Sequence, residues 1–234
     1  MVASSASEMA FASGAPSVNI SFPLQGQQLP ADHGYLVYSA ISRAFPALHS
    51  VDWLGIEFIS GFPSGPGLIA LPVAQAVSLR STNSAAFRLR IPADHYRDVL
   101  PLAGKRLDIG GHLIRLGLPV ARRLEPAPSL YARVVTIKKF TEPDPFLEAV
   151  NRQLDSLDVK GTAELPHDEQ GRYRRRIVSI HGKFVVGFSV AVHDLNDEDS
   201  LKLQSFGVGG RRAMGCGIFN PIIGNRSSQI SDVG

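Results

Sequence analysis

The stretch GVGGRRAMGCGIFNP, residues 207–221, lies near the end of a 234-residue chain and determines the topology that we predict for its second half. It contains glycines and arginines but no acidic residue, which is typical of a phosphate-binding loop. The preceding NDEDSLKLQSF has the pattern of a helix that begins after Asn196, and the stretch ends in a short strand, CGIFNP. Dinucleotide-binding loops need the reverse order, a strand before the glycines and a helix after them. No nucleotide cofactor is therefore expected.

The sequence before this loop supplies the other elements of one small domain. LYARVVTIKKF, residues 130–140, predicts a strand, and EPDPFLEAVNRQLDSL, residues 142–157, predicts an amphipathic helix. RYRRRIVSIHGKFVVGFSVAV, residues 172–192, predicts a long hairpin that turns at His181 and Gly182. With the last helix and strand, the second half has the order βαββαβ, which is the ferredoxin-like motif of RRM-type RNA-binding domains.

The first half has a similar order of elements. VNISFPL, residues 18–24, alternates like a strand, and LPADHGYLVYSAISRAFPALH, residues 29–49, has a helical period with Asp32 as the expected N-cap. The residues expected on the buried face of this helix are Tyr35, Tyr38, Ile41, Phe45 and Leu48. Strands, a short helix and a hairpin on Gly110-Gly111 follow. The predicted fold class is α+β, with two tandem ferredoxin-like (RRM-like, βαββαβ) domains.

The segment RRLEPAPS, residues 122–129, contains two prolines and has no periodicity, so it marks the domain boundary. We predict an N-terminal domain over residues 17–125, a C-terminal domain over 126–223, a flexible leader over 1–16 and a flexible tail over 224–234. The leader lacks the basic start and long apolar centre of a signal peptide, and the chain has no apolar run of about 18 residues. A cytoplasmic protein without a membrane partner is expected.

The distribution of charge and the spacing of possible metal ligands limit the kinds of ligand that the sequence predicts. The net charge is +3, but the basic residues concentrate in 172–183 and at Arg211-Arg212, while acidic residues gather in 194–199. Segregated basic segments are typical of nucleic-acid binding. Cys216 is the only cysteine, and the seven histidines show no metal-binding spacing, so neither a disulfide nor a metal site is expected.

Three further segments and the glycine-rich loop together resemble one family. LPADHGYLVYSAISRAFPALH, WLGIEFISG at 53–61 and LAGKRLDIGGHLIRLG at 102–117, with the loop, resemble the RAMP superfamily of CRISPR-associated proteins. The chain is similar more specifically to the CRISPR repeat endoribonucleases, and most to the form found in myxobacterial-type systems, over roughly residues 18–221. This resemblance implies metal-independent cleavage of precursor CRISPR RNA within its repeats. It also implies a stem-loop or single-stranded repeat RNA as the partner, and it allows subunits of a CRISPR effector complex as further partners.

The implied reaction uses the 2′-hydroxyl of the RNA as its nucleophile and leaves 2′,3′-cyclic phosphate and 5′-hydroxyl ends. Histidine suits the proton transfers because its pKa lies near neutrality. The resembled family carries its catalytic histidine on the first helix or just after it, often with a tyrosine. His49 at the end of this helix is the favoured candidate, His33 at its start is the second, and Tyr38 is the expected tyrosine. A helix-start hydrogen bond for His33, a solvated position for His49 and core packing for Tyr38 are the alternatives.

The residues expected to contact RNA lie in the long hairpin and the glycine-rich loop. Alternation in GRYRRR, residues 171–176, predicts three arginines on one strand face, although an exposed edge strand without a ligand has the same pattern. The candidates are Arg172, Arg174, Arg176, Lys183, Gly207, Gly209, Gly210, Arg211, Arg212 and Gly215. A turn that only joins the final helix and strand is the alternative for the loop.

Two other functions fit the same fold. One is a non-catalytic RNA-binding subunit of a CRISPR effector complex. The other is a generic RRM-like RNA binder, which the sequence disfavours because it has no aromatic-rich RNP-type strand.

Overall fold

The computed structural model describes residues 15–72 and 85–222. The predicted tail, 224–234, and all but the last two residues of the predicted leader lie outside the described residues. The chain divides into two compact units, the first ending at Arg123 and the second starting at Leu124.

The first unit is built around an antiparallel sheet. Its elements in chain order are β1 (Ser17–Gln25), β2 (Gln28–Pro30), α1 (Gly34–Ala44), a 3-10 turn (Pro46–Leu48), β3 (Gly55–Ile56), β4 (Phe62–Gly65), β5 (Leu68–Ala70), β6 (Ala86–Pro92), α2 (Tyr96–Val99) between 3-10 turns at Ala93–His95 and Leu100–Leu102, β7 (Arg106–Ile109), β8 (His112–Leu116) and β9 (Val120–Arg123). The main sheet has the order β3-β6-β1-β9, and the β7–β8 hairpin joins it through β8 and the end of β1. The short strands form a second sheet with the order β2-β5-β4.

The fourth strand of this βαββαβ arrangement is β9, which pairs with β1 from Val18↔Arg123 to Ser21↔Val120. The expected order placed the last strand in the Gly110-Gly111 hairpin, which is wrong, and Arg122 and Arg123 of the predicted boundary segment belong to β9. Alternation in the short VARR segment was obscured because three of its residues are exposed. The hairpin is an addition that precedes the fourth strand, and it turns at Gly110 (φ +61°) and Gly111 (φ +86°) as the sequence predicts.

Helix α1 buries only part of the stripe expected for it. Ile41 and Leu48 are buried as expected, whereas Tyr35, Tyr38 and Phe45 are half-buried, with Tyr38 and Phe45 packed against the core. Gly34, Val37 and Ala40 are the other residues of α1 that face the core. The N-cap is His33 rather than Asp32, and it makes no side-chain cap hydrogen bond. The helix ends before Pro46 as predicted, because proline cannot donate the next backbone hydrogen bond. The buried face of α1 is thus rotated from the expected one, and the Tyr38 hydroxyl lies near the surface.

The second unit repeats the arrangement. Its elements are β10 (Leu130–Val135), α3 (Pro143–Ser156), β11 (Thr162–Glu164), β12 (Arg175–Ile180), β13 (Lys183–His193), α4 (Asp197–Phe206), a 3-10 turn (Arg212–Met214) and β14 (Phe219–Pro221). The sheet has the order β11-β13-β10-β14, and β12 pairs with the other end of β13. Helix α3 buries Phe146, Val150 and Leu154, and the Asn196 side chain caps α4 by accepting from the Asp199 N–H at 2.9 Å. Both units thus have the ferredoxin-like order, which confirms the predicted fold class.

Candidate functional site

A tyrosine and a histidine are in contact at the end of α1. The Tyr38 hydroxyl lies 3.2 Å from Nδ1 of His49, and the two rings stack with centroids 5.8 Å apart. Tyr38 is a half-buried residue of α1, and His49 directly follows the Pro46–Leu48 turn after that helix. His49 is exposed. The two residues that the sequence analysis associates with catalysis therefore form one surface pair.

The segment after His49 is held on both sides. The Ser50 N–H donates to the Tyr38 hydroxyl oxygen at 3.2 Å, and Ser50 has a φ of +61°. Trp53 stacks on His95 with ring centroids 4.2 Å apart and an interplanar angle of 9°, and His95 is in turn bonded to Asp98 at 2.8 Å. Neither Trp53 nor His95 was expected here, because no sequence pattern relates residues on different elements. These contacts fix the backbone that carries His49.

The hydrogen bond between Tyr38 and His49 can run in either direction. The Tyr38 oxygen accepts the Ser50 N–H, and it can also accept Nδ1–H of His49 or donate its own hydrogen to Nδ1. In each case the contact occupies Nδ1 and not Nε2. Within residues 15–72 and 85–222, no protein group forms a hydrogen bond with Nε2. Nε2 is thus the ring nitrogen that a substrate can reach.

His33 has a different environment. Its side chain is 1% exposed; Nδ1 lies 2.9 Å from the Pro30 carbonyl oxygen, and Nε2 accepts the Ile59 N–H at 2.8 Å. An acceptor on Nε2 places the proton on Nδ1, which donates to Pro30. Both nitrogens thus connect α1 to the segments before and after it, which fits the helix-start alternative. A proton transfer to a bound substrate would require His33 to leave this setting.

The basic residues of the long hairpin are divided between a turn and a strand. The expectation that Arg172, Arg174 and Arg176 share one strand face is wrong, because β12 begins only at Arg175. The Arg174 Nε donates to the His167 carbonyl at 3.0 Å, and Arg176 is half-buried with Nε 3.4 Å from the Ser189 hydroxyl. Lys183 is exposed at the start of β13. Their contacts with RNA stay a prediction.

Arg172 is paired with an acid of the same turn. Its Nη2 and Nε lie 2.8 and 2.9 Å from the Asp168 carboxylate. The backbone N–H of Arg172 lowers the pKa of the Asp168 carboxyl below its usual value. Desolvation is the next-largest effect and opposes it, while the Arg172 side chain and the Gln170 N–H add to the lowering. Arg172 is thus held by a carboxylate of its own turn, although 74% of its side chain is exposed.

The glycine-rich loop is closely packed against its own unit. A Cβ on Gly209 would lie 2.6 Å from the Thr136 carbonyl oxygen, and Gly209 has a φ of +83°. Gly210 differs, since a Cβ there would have nothing within 4 Å and the residue is exposed. The N–H groups of Gly207, Gly209, Gly210 and Gly215 donate to Leu203 O, Gln153 Oε1, Thr136 O and Arg212 O, respectively. These amides are occupied within the protein, so close packing accounts for much of the glycine content.

The two arginines of the loop differ in exposure. Arg211 is exposed in a left-handed conformation (φ +65°), and its Nη1 donates to the Thr136 hydroxyl at 3.3 Å. Arg212 is half-buried and its Nη2 donates to the Ser205 carbonyl at 2.6 Å. Of the predicted contacts in this loop, the Arg211 side chain is the most accessible cation.

Possible metal ligands do not cluster in the part of the chain that the structure describes. There, no group of three histidine, cysteine or acidic residues has the arrangement of a metal site. None of the described helices is long and apolar enough to cross a membrane.

Comparisons with known proteins identify the family. The family model Cas6, described as "Cas6 Crispr", matches residues 18–224. The CRISPR-associated endonuclease Cas6 of Myxococcus xanthus (strain DK1622) is 40% identical over 204 residues, which cover 87% of this chain and 81% of that protein. The resemblance to CRISPR repeat endoribonucleases of the myxobacterial type is thereby confirmed at the level of the family.

Solved structures support the fold. A CRISPR-associated protein Cas6 aligns with a TM-score of 0.61 at 11% identity, covering 88% of this chain and 100% of that one. The product of a Cas6-related gene from Pyrococcus furiosus aligns with a TM-score of 0.57 at 13% identity, covering 90% and 100%. The sequence and structural matches agree, and the chain belongs to the Cas6 family of CRISPR-associated proteins.

Proposed function

We propose that this protein is an endoribonuclease that cleaves precursor CRISPR RNA within its repeats. The observation that carries the proposal is the contact between Tyr38 and His49 at the surface of the first unit. Membership of the Cas6 family and the naming of the Myxococcus xanthus relative as an endonuclease support it. A transcribed RNA substrate also favours the cytoplasm as the site of action.

The proposed reaction proceeds without a metal ion. The 2′-hydroxyl before the cleaved bond gives its proton to water as its oxygen attacks the adjacent phosphorus, forms the 2′,3′-cyclic phosphate and displaces the 5′-oxygen of the next nucleotide. His49, as the imidazolium, donates the Nε2 proton to that leaving oxygen and becomes the neutral imidazole, while its Nδ1–H donates to the Tyr38 oxygen. Tyr38 is the residue that orients the imidazole. His33 has no part in this step because both of its nitrogens are bonded inside the unit.

RNA binding is proposed to use cations of the second unit. Arg211 is the main candidate in the loop and Lys183 in the hairpin, because both side chains are exposed. Arg174, Arg176 and Arg212 are secondary candidates, since each already donates to a protein oxygen. Phosphate contacts of this kind are sequence-independent and sensitive to salt. Retention of the processed RNA would follow from contacts that cleavage does not remove.

The test is cleavage of a labelled repeat RNA in EDTA, together with the same RNA carrying a 2′-deoxy nucleotide at the cut site. We expect cleavage of the first RNA, with a cyclic phosphate end, and none of the second. A requirement for added divalent metal would overturn the mechanism. If both RNAs bind but stay intact, the protein is a non-catalytic RNA-binding subunit instead.

A further inference from the structure

The β7–β8 hairpin places two arginines directly opposite each other. Its register pairs Arg106 with Arg115, and both side chains are exposed, while the intervening Leu107 and Ile114 are buried on the other face. Directly opposite residues in an antiparallel pair have Cβ atoms about 4.5–5.5 Å apart, and like charges at this distance are destabilising. Solvent exposure explains why these positions are polar, but it does not explain why two arginines face each other.

Neighbouring charges do not neutralise this pair. Among the described residues, neither Arg106 nor Arg115 forms an ion pair or a side-chain hydrogen bond with a protein group. Asp108 shares the exposed face of the hairpin, but its carboxylate accepts the Gly111 N–H at 2.8 Å and closes the turn. The exposed face of the hairpin thus carries two arginines and one carboxylate, and it is net positive.

This face is attached to the helix that carries Tyr38. The Arg43 Nη2, near the end of α1, donates to the Asp108 carbonyl at 3.3 Å. The Lys105 ammonium lies 5.7 Å from the centroid of the Phe45 ring, which follows α1. Phe45 leads directly through the Pro46–Leu48 turn to His49. A polyanion that reaches His49 is therefore in the same unit as the hairpin cations, with α1 connecting the two.

We propose that Arg106 and Arg115 form a phosphate-binding pair for the RNA backbone at a position outside the cleavage site. This inference rests on the proposed function, because it takes RNA as the ligand. Two facing guanidinium groups with unused donors suit the oxygens of one phosphate or of two consecutive phosphates. Binding of an anion also removes the repulsion between the two arginines. Such a contact reads the backbone and positions the RNA without selecting bases.

The experiment compares Arg106→Gln/Arg115→Gln with Arg97→Gln/Lys160→Gln, which removes two charges at other exposed positions. The probe is the repeat RNA with a 2′-deoxy nucleotide at the cut site, and Kd is measured over a range of salt concentrations. We expect the first variant to bind about tenfold more weakly at about 0.1 M salt, with the slope of log K against log salt smaller by about 1.4. A scrambled RNA should lose affinity by the same factor.

The control and a stability measurement separate the possible causes. An equal loss of affinity in the control variant would show an effect of net charge and overturn the inference. Unchanged RNA affinity in Arg106→Gln/Arg115→Gln would also overturn it and would leave this face for a protein partner. The urea midpoint of the free variant should be unchanged or higher than that of the wild type, because repulsion is relieved; a lower midpoint would indicate a structural role.

The same measurements distinguish this inference from the proposed function. If the wild-type protein binds RNA but does not cut it in EDTA, the proposed chemistry fails, while a reduced salt slope in the variant still supports the phosphate site. If the wild type cuts the RNA and the variant has the wild-type slope, only the phosphate site fails.

Discussion

The hydroxyl of Tyr38 lies 3.2 Å from Nδ1 of His49, and the same oxygen accepts the Ser50 N–H at 3.2 Å. One phenol oxygen thus fixes both the ring and the backbone of the histidine segment. The opposite ring nitrogen, Nε2, is the part of His49 that remains for substrate. In the proposed reaction the two side chains have separate tasks, proton transfer for His49 and orientation for Tyr38, and the two tasks predict different kinetic losses.

Replacing His49 should remove most of the catalysis and little of the binding. A positioned proton donor contributes about 10²–10⁴-fold to the rate, so His49→Ala should lose a factor in this range with Kd within a few-fold of wild type. Single-turnover cleavage with excess enzyme measures the rate, and filter binding measures Kd. His193→Ala is the control, since His193 contacts Ser129 and Glu164 within the second unit.

The role of His49 as an acid has its own test. An RNA with sulfur in place of the 5′-bridging oxygen has a leaving group that needs no proton. His49→Ala should cut this RNA at nearly the wild-type rate. If the variant stays as slow on the sulfur RNA as on the normal one, His49 does not act as the acid.

Tyr38→Phe should have a smaller effect than His49→Ala. It removes one hydrogen bond to Nδ1, worth about 1 kcal/mol, so the cleavage rate should fall roughly fivefold. Tyr35→Phe removes a hydroxyl one turn earlier on the same helix and is the matched control. Equal losses in the two variants would show that the hydroxyl of Tyr38 has no special relation to His49.

His33 should matter for stability and not for chemistry. His33→Ala leaves the buried Ile59 N–H without its acceptor and should lower the free energy of unfolding by about 2–4 kcal/mol. His33→Gln should lose less, because its amide oxygen can accept that N–H. Urea unfolding gives the stability, and cleavage is then normalised to the folded fraction. Loss of cleavage in a fully stable His33→Ala protein would return this residue to the catalytic candidates.

The order of elements could be predicted because apolar periodicity and turn residues are local signals. The hairpin turns at Gly110-Gly111 and His181-Gly182 are examples. The fourth strand of the first unit could not be recognised, since exposed residues dominate Val120–Arg123 and only its pairing with β1 defines it.

The site was predictable in part. The family resemblance supplied His49 and Tyr38 and favoured His49 over His33, but no sequence signal showed that His33 is buried and His49 exposed. That difference depends on tertiary packing, since the Ile59 N–H and the Pro30 carbonyl enclose His33. The sequence could also have shown that Arg106 and Arg115 face each other, because both lie the same number of residues from the predicted turn at Gly110-Gly111.

Substitutions at the adjacent Gly209 and Gly210 test two things separately: whether packing requires a glycine, and whether the backbone lies close to RNA. Gly209→Ala would place a Cβ 2.6 Å from the Thr136 carbonyl oxygen at a φ of +83°, so it should lower stability by about 2 kcal/mol or more. Gly210→Ala adds its methyl group in open space and should change stability by less than about 0.5 kcal/mol. RNA affinity of the stable Gly210→Ala protein then reports whether the backbone at this exposed position lies against a phosphate. Equal destabilisation of both variants would contradict the packing described for Gly209.

The ion pair between Asp168 and Arg172 predicts that removing the Asp168 carboxylate strengthens RNA binding and makes stability less sensitive to acid. Asp168→Asn releases the Arg172 guanidinium from its carboxylate, so RNA affinity at neutral pH should rise and its salt dependence should steepen, whereas Arg172→Gln should change both only slightly.

The folded pKa of Asp168 lies below its unfolded value, which is about 3.9, so its stabilising contribution is present above about pH 4 and is lost as pH falls through the lower folded pKa. Thermal unfolding from about pH 6 to pH 2 should therefore show a smaller acid-induced decrease in Asp168→Asn than in the wild type. Weaker RNA binding by Asp168→Asn would show instead that the ion pair holds the turn in its binding conformation.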